Sequence, residues 1–181
     1  MIRSEYTSTA KWLHWLVAVL MIVTFYIGWV MVDMHGISPT KLKYFNWHKW
    51  VGMIVLGLAV IRSIWRLVFS PPPLPESITG YQRWASTAMH YLLYLLCFAV
   101  PISGYFYTLA AGYPVVLFGE LPLPVLMGAD ASLKEPLREI HEWLSYATAM
   151  AVALHTAAAL QHHFIHRDTV LRRMLPASRR T

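Results

Sequence analysis

Nine histidines occur in a chain of 181 residues of which only 13% are charged, and His14, His48, His90, His141 and His155 fall inside or at the edges of long apolar runs. An imidazole in such a run is costly to bury alone, and it is useful there because it ligates metals and moves protons near neutral pH. The spacing of His141 and His155 is informative. Fourteen residues make about four helical turns, which returns a side chain to nearly the same face roughly 21 Å deeper. On the partner helices His48 matches the depth of His141, and His14 matches that of His155, so the pattern gives two stacked pairs of imidazoles.

A pair of neutral imidazoles in a bundle core could hold haem iron, zinc or copper. Zinc ordinarily takes four ligands, and the only further acidic candidates at these depths are Glu139 and Glu142 at the rim. Two axial histidines on a planar b-type haem need nothing more. Gly52, Ala151 and Ala159 border the candidate ligands at helical spacing, where a porphyrin face must approach, although small residues also serve ordinary helix packing. Each histidine taken singly also reads as a ring bonded to a neighbouring carbonyl; it is the two depth-matched pairs that favour ligation. His90 shares a level with His14 and His155, so it could replace His14, contact a haem propionate or line a quinone pocket. His162, seven residues beyond His155, suits a propionate or quinone headgroup. His163 and His166 read as solvated tail residues and His35 as a loop residue.

The elements that position these residues follow from composition. The chain is 57% hydrophobic, and its low charged fraction compares with about 25% in an ordinary soluble domain, which excludes a soluble globule. The apolar residues gather into four blocks, at about 13–32, 47–69, 89–110 and 141–164. Each can cross a hydrocarbon layer of ~30 Å as a helix. Helix is required because an open strand would leave backbone donors unpaired in lipid, and no series of alternating ten-residue segments indicates a barrel. The expected fold is therefore all-α, a single four-helix transmembrane domain over residues 1–181 that binds two b-type haems. The first block is too long and carries the wrong flank for a signal peptide, so it is kept as a permanent helix. The longest connection, 111–138, contains an apolar stretch at 115–126 that could lie on the outer surface or cap the bundle.

The single cysteine, Cys97, excludes an internal disulfide, and there is no C-x-x-C-H motif for covalent haem. The net charge of +6 could suggest nucleic acid. However, Arg3, Lys11, Arg62, Arg66, Arg83, Arg167, Arg172, Arg173, Arg179 and Arg180 flank the apolar blocks on one side, against Lys41, Lys43, Lys49, Lys134 and Arg138 on the other. That is the asymmetry of membrane orientation; it places both termini in the cytoplasm and implies lipid rather than nucleic acid as partner. The eight tryptophans lie near block ends, as an aromatic belt does. Arg62 and Arg66, four apart on one face, could meet haem propionates, a quinone or lipid phosphates. On the other side Trp47, Lys49 and Trp50 are the alternative quinone contacts.

These residues form a recognisable series: Lys11-Trp12-Leu13-His14-Trp15-Leu16, Asn46-Trp47-His48-Lys49, His141-Glu142-Trp143-Leu144 and Leu154-His155 through Gln161-His162-His163. In this order and spacing, over essentially the whole chain, the series resembles the prokaryotic cytochrome b561 family, four-helix di-haem proteins of the bacterial inner membrane. It is also similar to the haem b subunits of membrane-bound hydrogenases and formate dehydrogenases, where a fourth-helix histidine pair at this spacing serves two haems. The resemblance implies that His48 and His141 hold a periplasmic haem and that His14 and His155 hold a cytoplasmic one. It further implies ubiquinone as electron acceptor and, for some members, superoxide as a periplasmic donor, which would make the chain an electron-transfer oxidoreductase of the superoxide oxidase type. Lys41, Lys43 and Lys49 beside His48 would then steer the anion, although lysines in a short loop also read as solvated charge. Two alternatives stand beside this reading: a membrane subunit relaying electrons for a separate dehydrogenase or hydrogenase, and a histidine-lined metal or proton transporter.

Overall fold

The computed structural model describes residues 5–75, 78 and 80–176. Four long helices carry the chain: α1 (Ser8–Asp33), α2 (Pro39–Val68), α3 (Gly80–Ala110) and α4 (Ala131–Gln161). A two-stranded antiparallel hairpin, β1 (Val116–Leu117) with β2 (Leu121–Pro122), lies in the α3–α4 connection. Beyond α4 come a π-helical turn, His162–His166, and a 3-10 turn, Arg172–Met174. All four helices are long and apolar enough to cross a membrane.

Local chemistry sets the helix starts. Thr7 caps α1 by accepting from the Ala10 amide at 3.2 Å, Ser38 caps α2 through the Lys41 amide at 3.1 Å, and Asp130 caps α4 through the Ser132 amide at 2.9 Å. Pro39 then opens α2, where its missing N–H costs nothing. Each of α2, α3 and α4 begins eight to ten residues before its apolar block, because charged and polar residues such as Lys41, Arg83 and Lys134 hide the first turns from hydropathy. The connection expected at 111–138 is accordingly helical from Ala131 onward. The fourth helix leaves α geometry after Gln161, short of the expected 164.

α1 packs on α2, α2 on α3, and α3 on α4. A small buried cluster of Val17, Ala59 and Cys97, with Met21, Leu58 and Phe98 around it, joins the first three helices. Most other large apolar side chains face outward, including Ile22, Trp29 and Leu95. That arrangement suits a lipid solvent, in which apolar side chains gain nothing by hiding. The start of α1 and the 3-10 turn beyond α4 meet at one end of the bundle, the terminal end. There the Trp15 indole donates to the Met174 carbonyl at 2.9 Å, Trp65 donates to the Thr7 hydroxyl at 2.9 Å, and Arg173 reaches the Pro73 carbonyl at 2.7 Å. The hairpin lies at the other end. Arg3, Arg179 and Arg180, which enter the charge asymmetry, lie outside the described residues.

Candidate functional site

At the hairpin end α2 brings His48 and α4 brings His141 to a ring-centroid separation of 6.0 Å, with the ring planes perpendicular. The hydrogen bonds assign the tautomers. His48 Nδ1 is 3.0 Å from the Thr24 carbonyl, which can only accept, so the nitrogen donates and carries the proton. His141 Nδ1 is 3.0 Å from the Val100 carbonyl and 3.1 Å from the Ser103 hydroxyl oxygen. Ser103 gives its own proton to Val100 at 2.8 Å, so toward His141 it is an acceptor as well. Both rings therefore keep the Nε2 lone pair free, which is how histidines that ligate metal are held by their surroundings.

Two glycines that the sequence reading passed over make room for these rings. A Cβ on Gly28 would stand 2.9 Å from His48 Cε1, and one on Gly104 would stand 2.8 Å from His141 Cε1. An isolated glycine inside an apolar helix, at the depth of a histidine, is the signal that could have found them. Gly52, chosen from spacing, lines the open cavity that the two rings face, Ala151 is buried, and Ala159 is half-buried. Thr24 and Val100 were also missed, since a backbone acceptor leaves no trace in residue type, and so was Ser103, which acts through its side-chain hydroxyl.

The rings look into a cavity of about 540 Å³ bounded by all four helices and lined by Phe25, Val55, Leu96, Thr148 and Val152 among mostly apolar neighbours, with Val115 of the loop as one wall. Its size falls within the range of cofactor pockets, roughly 300–1,000 Å³.

At the terminal end three histidines converge. The His155 ring lies 6.3 Å from that of His14 and 5.5 Å from that of His90, so both contacts considered from spacing are present together. His14 Nδ1 is buried and has no hydrogen-bond partner among the described residues. The His90 ring faces the Ser86 carbonyl one turn earlier. Arg62 acts electrostatically on all three rings, and the Arg62 and Arg66 guanidinium groups lie 5.2 and 5.4 Å from the centre of the Tyr94 ring. A smaller pocket of about 130 Å³ beside His90 is lined by Tyr6, Arg66, Ser86, Thr87 and Tyr94. Burial pushes the Tyr6 phenol up in pKa, against the pull of Arg66 and Arg62.

The remaining candidates are spread out. His162 Nδ1 pairs with Asp168 at 2.5 Å, and its ring stacks 5.1 Å from His166. His163 is not the solvated residue expected: it is half-buried in the π turn, and its Nδ1 is buried without a partner among the described residues. His166 and His35 are exposed. The three lysines differ from one another. Lys41 donates to the Met34 carbonyl at 2.6 Å, Lys43 is exposed, and Lys49 lines the large cavity. Arg138 is held between Glu135 at 2.5 Å and Glu142 at 2.8 Å, which cancels its charge at that end.

These residues fit a b-type haem. A metal–imidazole distance of about 2 Å on each side, plus about 1 Å to each ring centre, puts two axial rings roughly 6 Å apart, as at both levels here. Among the described residues there is no group of three or more histidine, cysteine or acidic side chains able to hold a metal ion by itself.

Comparison with known proteins points the same way. A family model described as prokaryotic cytochrome b561 matches residues 5–177. Cytochrome b561 homolog 2 of Escherichia coli (strain K12) is 36% identical over 166 residues, covering 91% of this chain and 88% of the relative. The probable superoxide oxidase CybB of Yersinia pestis is 29% identical over 181 residues, covering 98% and 99%. Cytochrome b561 homolog 1 of Escherichia coli (strain K12) is 26% identical over 177 residues, covering 96% and 98%.

Proposed function

We propose, since the chain belongs to the prokaryotic cytochrome b561 family, that its membrane electron transfer runs from superoxide on the periplasmic side to ubiquinone. Electron transfer in the inner membrane with haem b as cofactor follows from the family itself. Two haems are proposed, one between His48 and His141 and one between His14 and His155. The observation that carries this reading is the convergence of these four rings, from three helices, into two pairs at 6.0 and 6.3 Å. The Lys and Arg asymmetry supports a cytoplasmic position for both termini.

The His48–His141 and His14–His155 pairs would hold the haem groups, whose chemistry when bound would be single-electron exchange. The chain's own contribution is positional and electrostatic. The Thr24 and Val100 carbonyls keep the Nδ1 protons of His48 and His141, so both Nε2 atoms face the cavity. The apolar walls exclude water and lower the dielectric around the site. Lys43 and Lys49 supply positive charge beside His48, which favours approach of a small anion. The superoxide assignment leans on the relative named a probable superoxide oxidase.

At the terminal end the small pocket beside His90 offers hydroxyl, guanidinium and imidazole groups to a quinone carbonyl. Two superoxide ions, one quinone and two protons give two oxygen molecules and one quinol. The test is haem stoichiometry and a reduced-minus-oxidised spectrum on detergent-purified protein, followed by superoxide-driven quinol formation. Two b haems per chain and quinol formation are expected. A single haem overturns the di-haem reading, and two haems without quinol formation overturn the substrate pair alone.

A further inference from the structure

The loop between α3 and α4 does not project away from the bundle. It folds back along it: the Trp50 indole donates to the Val116 carbonyl at 2.8 Å, and the Tyr105 hydroxyl donates to the Pro124 carbonyl. Trp50 lies eleven residues into α2, about 16 Å from that helix's start, and Tyr105 lies five residues, about 8 Å, before the end of α3. Both anchors sit just inside the apolar blocks that begin near Trp47 and end near Ala110. The hairpin is thus held at the depth where hydrocarbon gives way to headgroups.

Its chemistry matches that depth. Between residues 111 and 129 the only charge is Glu120, at the tip. Phe118, Leu121, Val125 and Leu126 are 62%, 59%, 64% and 65% exposed, a run of large apolar side chains continuous with the outward faces of the spanning helices. Water would disfavour such a patch, whereas the membrane interface favours it. The backbone is also looked after, as an element near lipid requires. Val116 and Leu117 pair with Pro122 and Leu121, the Leu123 amide donates to Val115 at 2.9 Å, and the Glu120 amide donates to Leu117 at 3.0 Å. Val115, by contrast, is 1% exposed and faces the large cavity, so the loop has a protein side and an open side.

We propose that this hairpin is a lipid-binding element that lies in the headgroup layer at its end of the bundle, with Phe118, Leu121, Val125 and Leu126 as the side chains in contact with lipid. The occupant argued for is the bilayer surface, because the patch is nearly uncharged and runs on from the lipid-facing helices. This inference does not depend on the haem assignments or on the electron donor.

Spin labelling tests it. In a Cys97→Ala background, which removes the buried native thiol, labels are placed through Phe118→Cys and Leu126→Cys, with His35→Cys in the exposed α1–α2 link as the aqueous reference. Each protein, checked for retention of the parent haem spectrum, is reconstituted in phosphatidylcholine vesicles and exposed to oxygen and to a water-soluble nickel chelate. Oxygen access exceeding nickel access at 118 and 126, with the reverse at 35, is expected. Nickel access at 118 and 126 equal to that at 35 would place the loop in water and overturn the proposal. Exclusion of both reagents, with spin–spin broadening, would show a second chain covering the patch and would overturn it equally. Leu126, outside the two paired strands, keeps the test usable should Phe118→Cys disturb the hairpin.

Discussion

At the hairpin end His48 and His141 each commit an Nδ1 proton to a main-chain carbonyl and pack against a glycine, whereas at the terminal end His14 Nδ1 is buried without a partner among the described residues and His155 stands between two rings. The first arrangement is complete within the protein: tautomer, ring orientation and free lone pair are all set by neighbours. The second is under-determined, with two rings within reach of His155 and one buried nitrogen unsatisfied, a cost of about 1–3 kcal/mol. The contrast teaches that two depth-matched pairs of the same residue type can form sites of unequal preorganisation, one built on backbone acceptors and one left to the bound group.

The largest effect that could break this comparison is removal of a ring. His141→Ala is expected to eliminate the haem at the hairpin end and leave the other, reading as a fall from two to one haem per chain by extraction and difference spectroscopy. His48→Ala should do the same, and two haems surviving either change would refute the pairing. At the terminal end the decisive experiment is the contrast between His14→Ala and His90→Ala. The first should lose the terminal haem and the second should keep both. The opposite result would make His90 the partner of His155, as its shorter 5.5 Å separation allows.

A smaller effect is expected at the glycines. Gly104→Ala puts a methyl group 2.8 Å from His141 Cε1, and such overpacking typically costs about 1–3 kcal/mol. Haem at the hairpin end should be retained at lower occupancy and lost first on heating, with the terminal haem unaffected. Equal loss of both haems would mean that Gly104 supports the bundle rather than the ring. Gly57→Ala, at an exposed position of α2 that does not line the cavity and has no packed neighbour within 4 Å of the added Cβ, is the matched control.

Much of this was legible in the sequence, for physical reasons that can be named. Hydropathy marks four spans because lipid demands long apolar helices, and the fourteen-residue interval between His141 and His155 is converted to depth by helix geometry alone. What stayed hidden needed neighbours. The first turns of α2, α3 and α4 are polar and look like loop until Ser38 and Asp130 are seen capping the two helices they precede. Thr24 and Val100 act through carbonyls that every residue has. The hairpin could be read either as surface or as cap, and only the Trp50 and Tyr105 anchors show that one strip of it faces the cavity while another faces outward. The burial of His163 Nδ1, within a π-helical turn, was announced by no residue pattern.

The smallest expected effect sharpens the comparison most. Ser103 is buried, shares the His141 Nδ1 proton with Val100, and gives its own proton to that same carbonyl. In Ser103→Ala the carbonyl still holds the ring, so the tautomer and the haem should both persist. Of the two hydrogen bonds lost with the hydroxyl, only one is made by the ring, about 0.5–1.5 kcal/mol, and its loss makes the imidazole a slightly weaker donor to the metal. For a one-electron couple that energy corresponds to at most roughly 20–60 mV, and the hairpin-end potential should move upward within that window while the terminal-end potential stays fixed. A shift at the terminal end instead would show that the two levels are coupled through α3 and α4 and that their difference is not local.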